Sequence, residues 1–166
     1  MAKPSLEFKK LQWLFPIALT LHNAEEAIWM PGWALAHASW LPVHPPGAVE
    51  IRLALVLLTA AAFVVTYFSG RHGRESMWSY LWFGGVVAML MNVLVPHVPA
   101  TLLFRAYTPG VVTAVLINLP VMSYLTLRAV RERWVSGWKA AAFGMAVPLL
   151  IGGAILLLLS GRNATG

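Results

Sequence analysis

The chain has no cysteine and no aspartate, and only 11% of its 166 residues are charged. The lack of cysteine rules out disulfides, thiolate metal sites and a cysteine nucleophile. All six acidic residues are glutamates. A soluble domain carries about 25% charged residues, so too little charge is present to solvate a soluble surface. No internal repeat is visible, and no Pro/Ser linker or low-complexity tract divides the chain.

What is abundant is apolar: 59% of the residues are hydrophobic, with a mean hydropathy of +0.71. The composition predicts an integral membrane protein with the lipid bilayer as its surroundings, and the length suits one compact domain over residues 1–166. The net charge of +6 comes from basic residues gathered at segment ends. That pattern anchors a topology and argues against a nucleic-acid partner. The first segment is too long and too polar for a cleaved leader, so it is expected to be retained.

The apolar runs predict an all-α transmembrane bundle of five helices. The first runs from Leu11 to Met30 and ends at Pro31-Gly32, after a polar lead over residues 1–10. Residues 33–46, with Trp33, His37, Trp40 and His44, read as a short interfacial segment between helices one and two. Ala48–Ser69 forms the second helix, Met77–Val95 the third, closed by Pro96-His97-Val98-Pro99. The fourth runs from Pro109 to Leu127, with Thr108 as its cap, and the fifth from Trp138 to Leu159. On the fifth, Gly144, Gly152 and Gly153 are expected to allow close helix approach.

With the N-terminus in the cytoplasm, Lys3, Lys9, Lys10, Arg71, Arg74, Arg128, Arg131, Arg133 and Lys139 lie inside, and Arg52, Arg105 and Arg162 outside. Nine against three predicts an inner-membrane protein with its C-terminus outside.

One stretch breaks the apolar pattern. His22-Asn23-Ala24-Glu25-Glu26 places three ionisable side chains inside the first helix. A carboxylate at the centre of a spanning helix costs about 2.5–3.5 kcal/mol on insertion scales. His22 lies one helical turn from both Glu25 and Glu26, the spacing of a metal half-site or an acid–base pair. The plainer reading is a buried polar network that locks helix packing. The topology puts His22 near the midplane and Glu25 and Glu26 about 4.5–6 Å further out, at 1.5 Å per residue. Asn92, His97, Tyr107 and Thr108 fall in the same outer half, with Thr113 and Asn118 deeper. His97 is therefore expected close to the cluster.

The five-residue run resembles the defining motif of the HXXEE family of small bacterial membrane proteins. Asn92, His97 and the Tyr107-Thr108-Pro109-Gly110-Val-Val-Thr113 run resemble that family's other recurring positions, over about residues 13–127. The resemblance implies a small membrane protein with an enzymatic role and supplies no reaction.

Three functions fit these residues. In the first, His22, Glu25, Glu26 and His97 bind a divalent metal and carry catalysis on a small apolar substrate. Asn92, Tyr107, Thr108 and Asn118 then contact the substrate or support the ligands. An N/O ligand set suits zinc, iron or manganese equally. In the second, the same carboxyls and imidazole perform metal-free acid–base chemistry such as isomerisation. In the third, the chain is a proton or cation pathway or a small binding subunit. His37 and His44 have no role assigned by sequence, and the sequence leaves the oligomeric state open.

Overall fold

A computed structural model describes residues 4–40 and 45–160, the side chains of 4–7, 40 and 155–160 aside. Lys3, Arg162 and the loop residues Pro42 and His44 lie outside the described residues. The described residues contain no strand. A short α1 (Pro4–Leu11) leads into α2 (Leu14–Ala36), α3 (Ala48–His72) and α4 (Met77–Asn92). A π-helical stretch, Val93–His97, joins α4 to α5 (Val98–Phe104). After the turn come α6 (Val111–Thr113), a second π stretch (Ala114–Asn118), α7 (Leu119–Arg131) and α8 (Gly137–Ser160). Taking α4–α5 and α6–α7 as continuous, the bundle has five long helices.

Four of these, Ala48–His72, Met77–Phe104, Val111–Arg131 and Gly137–Ala154, are long and apolar enough to cross a membrane. The fifth, α2, has the length, at 23 residues. Its polar motif lowers its hydropathy. The chain is a helical membrane protein, and α2 packs its polar side against α3 and the helices α6–α7.

Several element ends differ from the sequence reading. The residues up to Lys10 are not merely a polar lead. From Pro4 on they form α1, whose Phe8 is buried against Trp82 and Trp134, with ring centroids 5.7 and 5.4 Å away. The first long helix does not stop at Pro31 but runs on to Ala36. Pro31 has no N–H to offer the Ala27 carbonyl one turn back. Arg52 of α3 donates its Nε–H to that carbonyl at 3.1 Å, which removes the penalty of an orphaned acceptor. Residues 33–36 are therefore helix and not loop.

Likewise Pro96 bends the third span instead of ending it. Val95 leaves helical geometry (φ −150°, ψ 116°), and helix resumes to Phe104. Thr108 does not cap the fourth helix and Pro109 is not its first residue. The residue that opens it is Gly110 (φ +87°). Close helix approach also falls elsewhere than expected. A Cβ on Gly144 would sit 3.5 Å from Phe83, an ordinary contact, and Gly152 and Gly153 have nothing within 4 Å. A Cβ on Gly84 of α4 would meet Val147 at 2.5 Å, so Gly84 lets α4 and α8 touch.

Phe8, Phe15, Leu19, Trp82, Val86, Met122, Leu125 and Trp134 form the buried apolar core. It fills the bundle on the N-terminal side of His22 along α2. The polar groups of the motif occupy the opposite half.

Candidate metal centre

On α2 each polar residue of the motif has its own partner. Asn23 is buried and donates to the Leu55 carbonyl at 3.1 Å and the Thr59 hydroxyl at 2.7 Å, tying α2 to α3. His22, one residue earlier, turns toward the other helices and is 1% exposed. Its Nε2 lies 3.7 Å from Glu26 Oε1, one turn along. His97, at the end of the first π stretch and 3% exposed, brings its Nε2 to 3.4 Å from the same oxygen. The two imidazoles stand edge-on, with centroids 4.9 Å apart and planes at 87°. One ligand atom from each of His22, Glu26 and His97 lies within 4.8 Å of the others.

The kink delivers His97. Had the third span ended at Val95, the imidazole would sit at an interface. Instead the π stretch, a common feature of functional sites, lets α4 continue while turning residue 97 inward. The second π stretch follows Thr113 and ends at Asn118, packed near the first.

Glu25 is turned away from this trio, contrary to the expected four-residue ligand set. Its Oε1 accepts from the Tyr107 hydroxyl at 2.6 Å and the Gly110 N–H at 3.1 Å. Its Oε2 accepts from the Thr113 N–H at 2.9 Å and the Thr113 hydroxyl at 2.6 Å. The N–H groups that open a helix have no intrahelical partner, and a carboxylate there satisfies them. Glu25 thus fastens the start of the fourth span to α2.

The same contact orients His22. A carboxylate only accepts, so the Thr113 hydroxyl spends its proton on Glu25. Its oxygen, 2.9 Å from His22 Nδ1, then accepts the Nδ1–H. That tautomer leaves the Nε2 lone pair facing Glu26 and His97, the arrangement by which a hydrogen-bonded carboxylate positions a metal-binding imidazole.

The other expected residues divide. Asn92 joins the centre, its Nδ2 3.2 Å from His22 Nε2 and 3.0 Å from His97 Nε2. Tyr107 binds Glu25 and is 43% exposed. Partial burial and the hydrogen bond to the carboxylate raise its hydroxyl above its ordinary pKa, keeping it a donor. Thr108 is buried but bonds the Thr101 hydroxyl and the His97 carbonyl, so it braces the turn. The Asn118 amide is fully buried, and neither of its polar atoms has a hydrogen-bond partner among the described residues. His37 is not part of the centre: it bonds the Trp33 carbonyl and stacks on Trp33, 4.4 Å between centroids.

Two residues that matter most, Thr113 and Gly110, stand in the sequence only as members of the family-like run, with no role of their own. A Cβ on Gly110 would lie 2.6 Å from His97 Cε1, 2.9 Å from His22 Cε1 and 3.1 Å from Glu26 Cγ. The turn therefore presses its backbone onto the side chains of His22, His97 and Glu26.

An open apolar groove lined by Glu25, Trp29, Tyr107, Val112 and Thr113 lies beside this centre. The groove reaches the carboxylate that orients His22.

These features define a helical membrane protein with a His/Glu/His centre whose two histidines are buried. The chain belongs to the family described as proteins of unknown function with an HXXEE motif, whose pattern matches residues 13–125. It is 29% identical over 145 residues to the uncharacterized protein YrkK of Bacillus subtilis (strain 168), covering 87% of each chain. No solved structure matches it.

Proposed function

We propose that this chain is a membrane-embedded metal-dependent enzyme acting on a lipid-like or other apolar substrate. The observation that carries the proposal is the convergence of His22 Nε2, His97 Nε2 and Glu26 Oε1 from two helices, with the first imidazole oriented through Thr113 and Glu25. Two imidazoles and one carboxylate are a donor set used by zinc hydrolases and by iron enzymes, and manganese also accepts it. A bound ion would supply either an activated water or oxidative chemistry, depending on the metal. The chain's own part is to keep both Nε2 lone pairs available and to exclude bulk water. The groove beside Glu25 suits an approach from the lipid, because its walls are the Trp29 and Tyr107 rings and Val112.

A conduit is less well supported. Between the His22 level and the basic end, the bundle interior is filled by Phe15, Leu19, Trp82, Val86, Met122 and Leu125. An ion path needs polar lining along its length.

Elemental analysis of the detergent-purified chain tests the reading. About one zinc, iron or manganese per chain is expected in the parent, and only background in His22→Ala. The parent should also melt at a lower temperature with a chelator, since an ion bound only by the folded state stabilises it. Background metal in the parent and no chelator response would end the metal reading. It would leave Glu26 and the two histidines as a metal-free acid–base site.

We also propose that the N-terminus lies in the cytoplasm and the C-terminus outside, on the nine-to-three asymmetry of basic residues. Reporter fusions near Arg74 and at the C-terminus measure this. A C-terminal reporter active only in the cytoplasm would reverse it.

A further inference from the structure

The two histidine nitrogens that face Glu26 also face one further atom, Asn92 Nδ2, at 3.2 and 3.0 Å. Four of the six edges among these atoms are 3.0 and 3.2 Å to Asn92 and 3.4 and 3.7 Å to Glu26, and the ligand atoms of His22, Glu26 and His97 all lie within 4.8 Å of one another. Four donors about 2.0–2.1 Å from a common centre in a tetrahedron lie about 3.4 Å from one another. Asn92 Nδ2 therefore lies at ligand-to-ligand distance from both histidine nitrogens, as a fourth ligand would. It comes from α4, directly before the π stretch that delivers His97.

An asparagine has two chemically different ends on one rotatable group. Its NH2 donates to lone pairs and has none free to bind a cation. Its carbonyl oxygen binds cations and donates nothing. With no cation between them, two imidazole lone pairs need a donor, and the NH2 serves both. With a cation between them, the oxygen is the end that gains by facing inward. A half-turn of the side-chain amide exchanges the two without moving the backbone.

We propose that Asn92 is the fourth protein ligand of this centre, binding through its carbonyl oxygen after the amide turns over, and that its NH2 otherwise holds both imidazoles in register. The proposal rests on the metal reading above. It makes the donor set two nitrogens and two oxygens, and the harder oxygen favours iron or manganese over zinc.

The full chain in detergent, stripped with chelator and titrated with cobalt(II), provides the test. Cobalt's visible bands follow its coordination geometry. Asn92→Leu removes the oxygen and should weaken cobalt binding about tenfold or more and move the bands. Asn92→Asp fixes an oxygen in place. It should bind cobalt at least as tightly as the parent and gain more melting temperature on loading, because the unloaded variant sets two carboxylates together. The stripped proteins' melting temperatures show whether each variant folds. If the parent and His22→Ala alike fail to bind cobalt, the metal reading falls and this inference with it. If the parent binds but Asn92→Leu matches it in affinity and spectrum, or Asn92→Asp binds more weakly, the metal reading stands and Asn92 is only a hydrogen-bond donor.

Discussion

Gly110→Ala is expected to destabilise the protein by about 2–5 kcal/mol and to abolish metal retention. Two costs add. At φ +87° an alanine enters the left-handed region, at about 1–2 kcal/mol. Its Cβ would then lie within 3.0 Å of ring carbons of both His22 and His97, and overpacking of this kind costs about 1–3 kcal/mol. The rings cannot step aside cheaply. His22 is held at Nδ1 by Thr113, and both imidazoles bond Asn92. Gly137 gives the control. It also has a positive φ, +60°, but open space around its missing Cβ. Gly137→Ala should show only the backbone cost and leave metal content unchanged. Thermal melts in detergent and elemental analysis of both variants decide. If Gly110→Ala melts like Gly137→Ala and keeps its metal, the turn does not press on the histidines as described.

The second large effect separates the two glutamates. Glu26→Gln is expected to lose bound metal to background, because a neutral amide replaces the one carboxylate facing both Nε2 atoms. Its metal-stripped form should melt at or above the stripped parent, since a buried charge has been removed. Glu25→Gln should behave in the opposite way. One of its two oxygens becomes an NH2 facing donors from Tyr107 and Gly110, or from Thr113. The backbone N–H groups cannot turn to accept, so the stripped protein should lose about 1–3 kcal/mol. Metal affinity should fall about 10–100-fold through the loosened Thr113–His22 contact, short of abolition. Equal metal loss in both variants, with both keeping the stripped parent's melting temperature, would show that the two carboxylates do not divide the work.

That division shows what lay in the sequence and what did not. Composition alone determined the class, because a chain with this little charge has no stable soluble surface. The His22–Glu26 pair was equally determined, since a spacing of four residues puts side chains on one helix flank whatever the helix packs against. The motif also declared itself by its energy, because ionisable groups in an apolar helix need partners.

The partners were decided by tertiary structure. Glu25 and Glu26 are neighbours about 100° apart around the helix, so packing had to choose which one faces His97 and which receives the N–H groups of the fourth span. Helix ends were misread where a proline's cost is relieved from another helix, as Arg52 does for the carbonyl Pro31 leaves bare. His97 enters the centre only because the third span bends at Pro96 and goes on, which depends on what its far half can pack against. Thr113 and Gly110 belong to the family-like run, but their residue types alone do not reveal their roles. One is an intermediary between a carboxylate and an imidazole, the other a place where no side chain fits, and both become visible only when three helices are brought together.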